Sequence, residues 1–169
     1  SSYQVAVVGL CTIINMLDGF DVLVMSFAAS SVAGEWSLSE IDIGILLSSG
    51  LFGMALGSVG IAPFADKMGR RRLVLLCLLL ISIGMLGAAI ANDKYQLIVL
   101  RFFTGLGIGG MLAALSALVS EYANNSKRGL CMGVLQSGYP LGAIFGGIIS
   151  VYLLDEYGWR SLFVFGGIA

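Results

Sequence analysis

Residues 5–32 read VAVVGLCTIINMLDGFDVLVMSFAASSV, an apolar run whose only charged side chains are Asp18 and Asp21. About 20 residues of helix cross a hydrocarbon core, and the run shows none of the strict alternation of a membrane barrel strand. It therefore reads as a membrane helix, longer than the core requires and so tilted or extended beyond it. A charge near the bilayer centre costs about 3 kcal/mol or more, so intramembrane carboxylates face a bundle interior or cavity and generally have a task. Asp18 and Asp21 pose the functional question.

The same character extends outward over the whole chain. Of the 169 residues 58% are hydrophobic and only 11% charged, and the mean hydropathy is +0.97. These values predict an all-α membrane protein, because only helices and closed barrels satisfy every backbone polar group within lipid. There is no basic tail of the kind that binds nucleic acid. Cys11, Cys77 and Cys131 lie in apolar runs without paired metal-ligand spacing, and histidine is absent, so zinc or redox chemistry is not expected. No cofactor is indicated. The chain opens without methionine and stops early in a sixth apolar run, which reads as a fragment of something longer.

Helices are expected over about 5–32, 38–65, 73–91, 95–121 and 129–154, with an incomplete sixth over 160–169. Ser37-Leu38-Ser39-Glu40 has the form of a capping box, with Trp36 and Ile41 placed for a hydrophobic staple. Gly50, Gly53, Gly57 and Gly60 recur at helical spacing, which predicts one face of close helix packing. The second and fourth loops hold Lys67, Arg70, Arg71, Arg72, Lys127 and Arg128, whereas the others hold only Lys94 and Arg160, so the even loops and the N-terminus are expected in the cytoplasm. Asn124-Asn125-Ser126 is a glycosylation sequon, without consequence on that side of a membrane.

The loop Ala62-Pro63-Phe64-Ala65-Asp66-Lys67-Met68-Gly69-Arg70-Arg71-Arg72 resembles the signature between helices two and three of the major facilitator superfamily, with Ala62 where a glycine is usual. Arg101 followed by Gly105, Gly107 and Gly109 is similar to the family's fourth-helix pattern, and Glu121 with Arg128 to the acid and base that bracket its fourth loop. The resemblance implies a six-helix N-terminal bundle truncated in the sixth helix, completed by an absent C-terminal half. It also implies that Asp66, Gly69, Arg70, Arg71, Glu121 and Arg128 form a cytoplasmic gating network. Read alone, such residues are also ordinary helix-end ion pairs, and Lys67 and Arg72 fit that reading. Gly138-Tyr139-Pro140 partly resembles the antiporter motif of the fifth helix, but Tyr139 interrupts its Gly-Pro pair, and packing or bending explains these residues equally well.

Asp18-Gly19-Phe20-Asp21 resembles the Asp-Gly-x-Asp motif of the aromatic acid:proton symporters. That resemblance implies import of a small aromatic or related organic acid with protons, by alternating access, across a bacterial inner membrane. A nicotinate-like, dicarboxylate or sugar carrier is the alternative substrate class, and a non-transporting membrane sensor or scaffold the alternative function. Intramembrane aspartyl proteolysis would need its two aspartates on separate helices, whereas these share one.

Residues three apart on a helix lie about 5–6 Å apart at Cβ, so Asn15, Asp18 and Asp21 form one polar stripe, with Met25 its extension. Two carboxylates that close in a dry cavity cannot both ionise cheaply, so the pair is expected to hold a shared proton. Arg101 is the expected counter-charge: Asp21 lies roughly 12–16 Å below the outer end of its helix and Arg101 roughly 8–9 Å below that of its own, a difference a long side chain closes. A purely structural pair of Arg101 and Asp21 is the other reading. Gln136, Tyr139 and Phe20 are candidate substrate contacts, although aromatic residues in membrane helices also serve packing.

Overall fold

A computed structural model describes residues 2–61, 63–124 and 127–168, with the side chains of residues 2, 3, 65 and 66 outside the description. Seven helices occupy the described residues: α1 (Ser2–Trp36), α2 (Glu40–Gly60), the short α3 (Phe64–Met68), α4 (Arg70–Ala89), α5 (Lys94–Tyr122), α6 (Arg128–Tyr157) and α7 (Trp159–Ile168). Five of them, α1, α2, α4, α5 and α6, are long and apolar enough to cross a membrane. The chain is an integral, multi-pass membrane protein. Its many large apolar side chains left on the outside, among them Leu10, Phe52, Leu79 and Ile148, are what a lipid or protein-covered surface requires and what water would penalise.

Two helix pairs build the bundle, α2 on α5 and α1 on α6, with α4 packed on α5 and α7 on α4. Glycine sets both main contacts. A methyl group at Gly53 would strike the Phe102 carbonyl and one at Gly57 the Leu106 carbonyl, while from the facing helix Gly105 and Gly109 meet the carbonyls of Gly50 and Met54. The α2 and α5 backbones therefore touch, and dispersion over that length replaces the hydrophobic drive that lipid removes. Gly60, expected on the same packing face, has nothing within 4 Å of the position a Cβ would take. Gly138, Gly142 and Gly146 play the corresponding part on α6, against Thr12, Met16 and Phe20 of α1.

Several helix ends differ from the sequence expectation. The first helix continues to Trp36, and the second stops at Gly60, after which α3 forms a separate single turn in the loop. The N-cap of α2 is Ser39 rather than Ser37: its Oγ accepts from the Asp42 backbone N–H at 3.2 Å, while its own N–H donates to Asp42 Oδ2 at 3.2 Å. Both serines precede an acid at the third position. Ser37 is consumed in leaving α1, where it takes φ +50°, so the box forms one turn later on Ser39 and Asp42. The expected staple does not form either, because Ile41 is exposed and Trp36 instead stacks edge-on against Trp159, centroids 5.6 Å apart. Pro140 lies within α6 and does not end it. Ala62 of the loop motif, and Asn125 and Ser126 of the sequon, lie outside the described residues.

Candidate functional site

The polar stripe of α1 points into the bundle. Asn15, Asp18, Asp21 and Arg101 are 1%, 2%, 3% and 5% exposed, and Met25 is fully buried at the end of the stripe. Helical geometry brings the three α1 side chains onto one side, and one glycine contact and one hydrogen bond tie α1 to α6 beside them. Gly19 lies so close to the Tyr139 carbonyl of α6 that no side chain fits, which draws α1 in just where the flanking aspartates project. Below it, Asn15 Nδ2 donates to the Leu135 carbonyl at 2.6 Å, a second tie between α1 and α6.

Arg101 enters from α5 and meets α1 as its length allows, but at the backbone. Nη1 donates to the Asp21 carbonyl oxygen at 3.1 Å and Nη2 to that of Val22 at 3.3 Å. Each carbonyl has two lone pairs, so it accepts the guanidinium without giving up its helical bond. Met85 Sδ lies 3.8 Å from Nη1, and the Phe163 ring of α7 sits beneath the guanidinium at 6.0 Å. No ion pair joins Arg101 to either carboxylate among the described residues, so the expected side-chain ion pair of Arg101 with Asp21 is corrected to a charged clamp on the main chain. Asp18 Oδ2, Asp21 Oδ1, Asn15 Oδ1 and Arg101 Nε have no hydrogen-bond partner among the described residues.

Unpaired carboxylate oxygens in so dry a place are the chemical content of the site. Burying a carboxyl group without a partner is costly, so two such groups side by side are not ordinary packing residues. With both aspartates ionised the cluster of Asp18, Asp21 and Arg101 sums to −1; one proton brings it to zero. Among the described residues no group of three or more His, Cys, Asp or Glu side chains is gathered to hold a metal.

The candidate substrate contacts separate. Gln136 lies on the exposed face of α6, away from the buried cluster. Tyr139 is partly buried and touches the site through its backbone against Gly19. Phe20 is 4% exposed, wedged over Gly146 and edge-on to Phe165 at 5.6 Å, which makes it packing within the bundle. A narrow crevice bounded by Val22, Leu47, Gly50, Met54, Gly105 and Ile108 reaches Arg101.

At the basic end of the bundle Arg70 grips Glu121, with Nε 2.9 and 3.0 Å from the two carboxylate oxygens and Nη2 2.7 Å from Oε1. Gly69 makes the bend into α4 at φ +86°, a conformation suited to glycine. The Asp66 side chain lies outside the described residues. Arg71 and Arg128 are exposed and in no ion pair among the described residues, and the Arg70–Glu121 pair is the part of the expected network that these residues show.

Sequence reasoning missed a second set of ties at the opposite end. Glu35 Oε2 accepts from Trp159 Nε1 at 2.5 Å and Glu35 Oε1 from Arg160 Nη1 at 2.8 Å, while Arg160 lies over the Trp159 ring at 4.4 Å and reaches the Ala91 carbonyl. Lys94 pairs with Asp42 at 2.9 Å. The available signal was placement: each pair joins an acid and a base in loops that the alternating spans put on one side.

Comparison with known proteins agrees with this architecture. The profile of the Major Facilitator Superfamily matches residues 10–169. The chain is 34% identical over 168 residues to the gallate transporter of Pseudomonas putida, covering 99% of the chain and 37% of that protein. It is 38% identical to the 4-hydroxybenzoate transporter PcaK of the same organism, again over 99% of the chain and 38% of the relative. Among solved structures, the proton:xylose symporter XylE bound to 6-bromo-6-deoxy-D-glucose superposes with a TM-score of 0.90 at 21% identity, covering 99% of this chain and 42% of that one. A bacterial homologue of the human lysosomal transporter Spinster, inward-facing and unoccupied, gives 0.88 at 22% over 98% and 40%. These last two speak to fold alone. The chain thus spans less than two fifths of the length of these curated relatives, and over nearly all of that span it belongs to the Major Facilitator Superfamily.

Proposed function

We propose that the full-length protein is a secondary transporter that imports an aromatic carboxylic acid together with protons by alternating access. The observation that carries the reading is the buried pair Asp18 and Asp21, whose oxygens Oδ2 and Oδ1 are unpartnered while the neighbouring Arg101 spends its guanidinium on main-chain carbonyls. A proton satisfies such oxygens without opening the bundle. Names of the relatives, gallate and 4-hydroxybenzoate transporters, support an aromatic acid as the cargo.

The charge arithmetic favours a neutral cycle. An entering monocarboxylate brings −1, and the proton taken by the aspartate pair brings +1, so their coupled entry moves no net charge through the membrane potential. Substrate would lie near the midplane between this half and a C-terminal half, with the Arg101 crevice as this half's contribution to anion attraction. The Arg70–Glu121 pair would belong to a gate on the cytoplasmic side of a bacterial inner membrane, with the N-terminus on that side too.

Uptake of labelled 4-hydroxybenzoate by cells or proteoliposomes carrying the full-length protein, with and without an inward proton gradient, tests the reading. Asp18→Asn and Asp21→Asn are expected to abolish gradient-driven uptake while leaving membrane insertion unchanged. Undiminished gradient-driven uptake by both variants overturns the proton assignment, and absence of uptake of any aromatic acid by the wild type overturns the substrate class.

A further inference from the structure

The Asp21 carboxylate meets α7 at a wall of bare backbone. A Cβ placed on Gly166 of α7 would sit 2.6 Å from Asp21 Oδ1, 2.5 Å from the Met85 methyl and 3.1 Å from the edge of the Phe20 ring. Of these three, Phe20 is held edge-on by Phe165, so it cannot yield freely. Relief falls on Met85 and on the carboxylate itself. Asp21 Oδ1 is also the oxygen with no hydrogen-bond partner among the described residues. Among the described residues no hydrogen bond anchors that oxygen, so its place depends on the packing around it and on the nearby Arg101 charge.

We infer that Gly166 is a positioning residue for Asp21: the absence of a side chain on α7 at this point fixes the depth at which the carboxylate sits, and coupling to protons depends on that depth. The inference rests on the proton-carrier reading above for its functional half, and on the geometry of α7 for its structural half. The groups that face the aspartate pair are Arg101 from α5, Cys77 from α4 and Tyr139 from α6, the last two within electrostatic reach of Asp18. From α7 comes no titratable group, only the glycine and the Phe163 ring under Arg101. The α7 helix therefore acts on the site by shape. Gly167, its neighbour, provides an internal comparison: a Cβ there would meet Leu86 of α4 at 2.7 Å and not the aspartate.

The test uses the full-length protein and two readouts. The first is labelling by dicyclohexylcarbodiimide, which attacks protonated carboxyl groups in apolar surroundings, mapped to individual aspartates by mass spectrometry. Gly166→Ala is expected to change Asp21 labelling several-fold relative to wild type, and Gly167→Ala to leave it as in wild type. Equal Asp21 labelling in Gly166→Ala and wild type overturns the inference, as does an equal change in both variants, which would reflect displacement of α7 as a whole. The second readout compares gradient-driven uptake with counterflow, which needs no net proton movement. Gly166→Ala is expected to lose about tenfold or more of the driven uptake, the scale of a misplaced functional group, with counterflow retained. Proportional loss of both activities overturns the positioning role. Wild-type uptake indifferent to the proton gradient would overturn the proton reading instead, and the labelling comparison would still decide the role of Gly166.

Discussion

Arg101 holds Asp21 by its main-chain carbonyl, 3.1 Å from Nη1, and leaves Oδ1 of the same residue without a hydrogen-bond partner among the described residues. The arginine is thereby a fixed charge near the acid rather than a partner neutralising it. This distinction has chemical weight. A bidentate ion pair would commit the carboxylate to the arginine, whereas a guanidinium spent on main-chain carbonyls leaves the carboxyl group for the proton that the proposed function requires.

Replacing Arg101 by lysine should therefore be far from conservative. The guanidinium spans two successive carbonyls with separate N–H groups, and a single ammonium on a shorter reach cannot reproduce that fork. Losing one such charge-assisted bond costs about 1.5–3 kcal/mol. Arg101→Lys in the full-length protein is expected to lower thermal stability in detergent and to reduce driven uptake. Wild-type melting and uptake in that variant would show that the charge alone matters.

The glycine contact between α2 and α5 gives a paired prediction. Gly53→Val drives a branched side chain into the Phe102 carbonyl, where backbone must move, and overpacking of this kind costs about 1–3 kcal/mol or more. Gly60→Ala points into open space and should change stability by less than about 0.5 kcal/mol. Size-exclusion profiles and melting temperatures of the two full-length variants check the contrast. Equal behaviour would mean that the four glycines act as a single stripe, as their spacing alone suggests.

That contrast also marks how far the sequence reaches. Membrane helices were legible because apolar run length is a local property, and the convergence of Asp18, Asp21 and Arg101 was legible because charges in apolar runs must find company. The loop after α2 and the fourth-helix glycines carried the family. What escaped depends on tertiary context. Periodicity puts Gly60 on the face of Gly57, yet nothing in the spacing says that close contact no longer reaches it. Ser37 and Ser39 are equivalent as caps until the exit from α1 uses up the first of them. Gln136 and Tyr139 are polar enough to suggest a site, but only the packing of α6 on α1 shows that the first stands on an exposed face of α6 and the second meets α1 through its backbone.

Asn15 makes the tightest polar tie between α1 and α6, at 2.6 Å to the Leu135 carbonyl, one turn below Asp18. Asn15→Ala removes a donor and leaves behind a carbonyl that keeps its helical bond, so the loss should be about 0.5–1.5 kcal/mol rather than the larger cost of an orphaned group. A small drop in melting temperature with uptake preserved is the expected outcome. Loss of proton-driven uptake at unchanged stability would instead make Asn15 part of the proton path.

Glu35 allows the ties at the opposite end to be ranked. Its pair with Arg160 is half-exposed, 41% and 40%, and such pairs contribute about 0–1 kcal/mol. Its bond to Trp159 differs, because that indole is 4% exposed and its N–H would be left without an acceptor. An orphaned buried donor costs about 1–3 kcal/mol. Removing the acid should therefore hurt more than removing the base: Glu35→Ala is expected to lower the melting temperature of the full-length protein clearly, and Arg160→Ala by less. Glu35→Gln separates the two contributions, since its amide oxygen still accepts from Trp159 while its charge is gone, and it should resemble Arg160→Ala. A Glu35→Gln variant as unstable as Glu35→Ala would mean that charge, and not the indole hydrogen bond, holds α1 to α7.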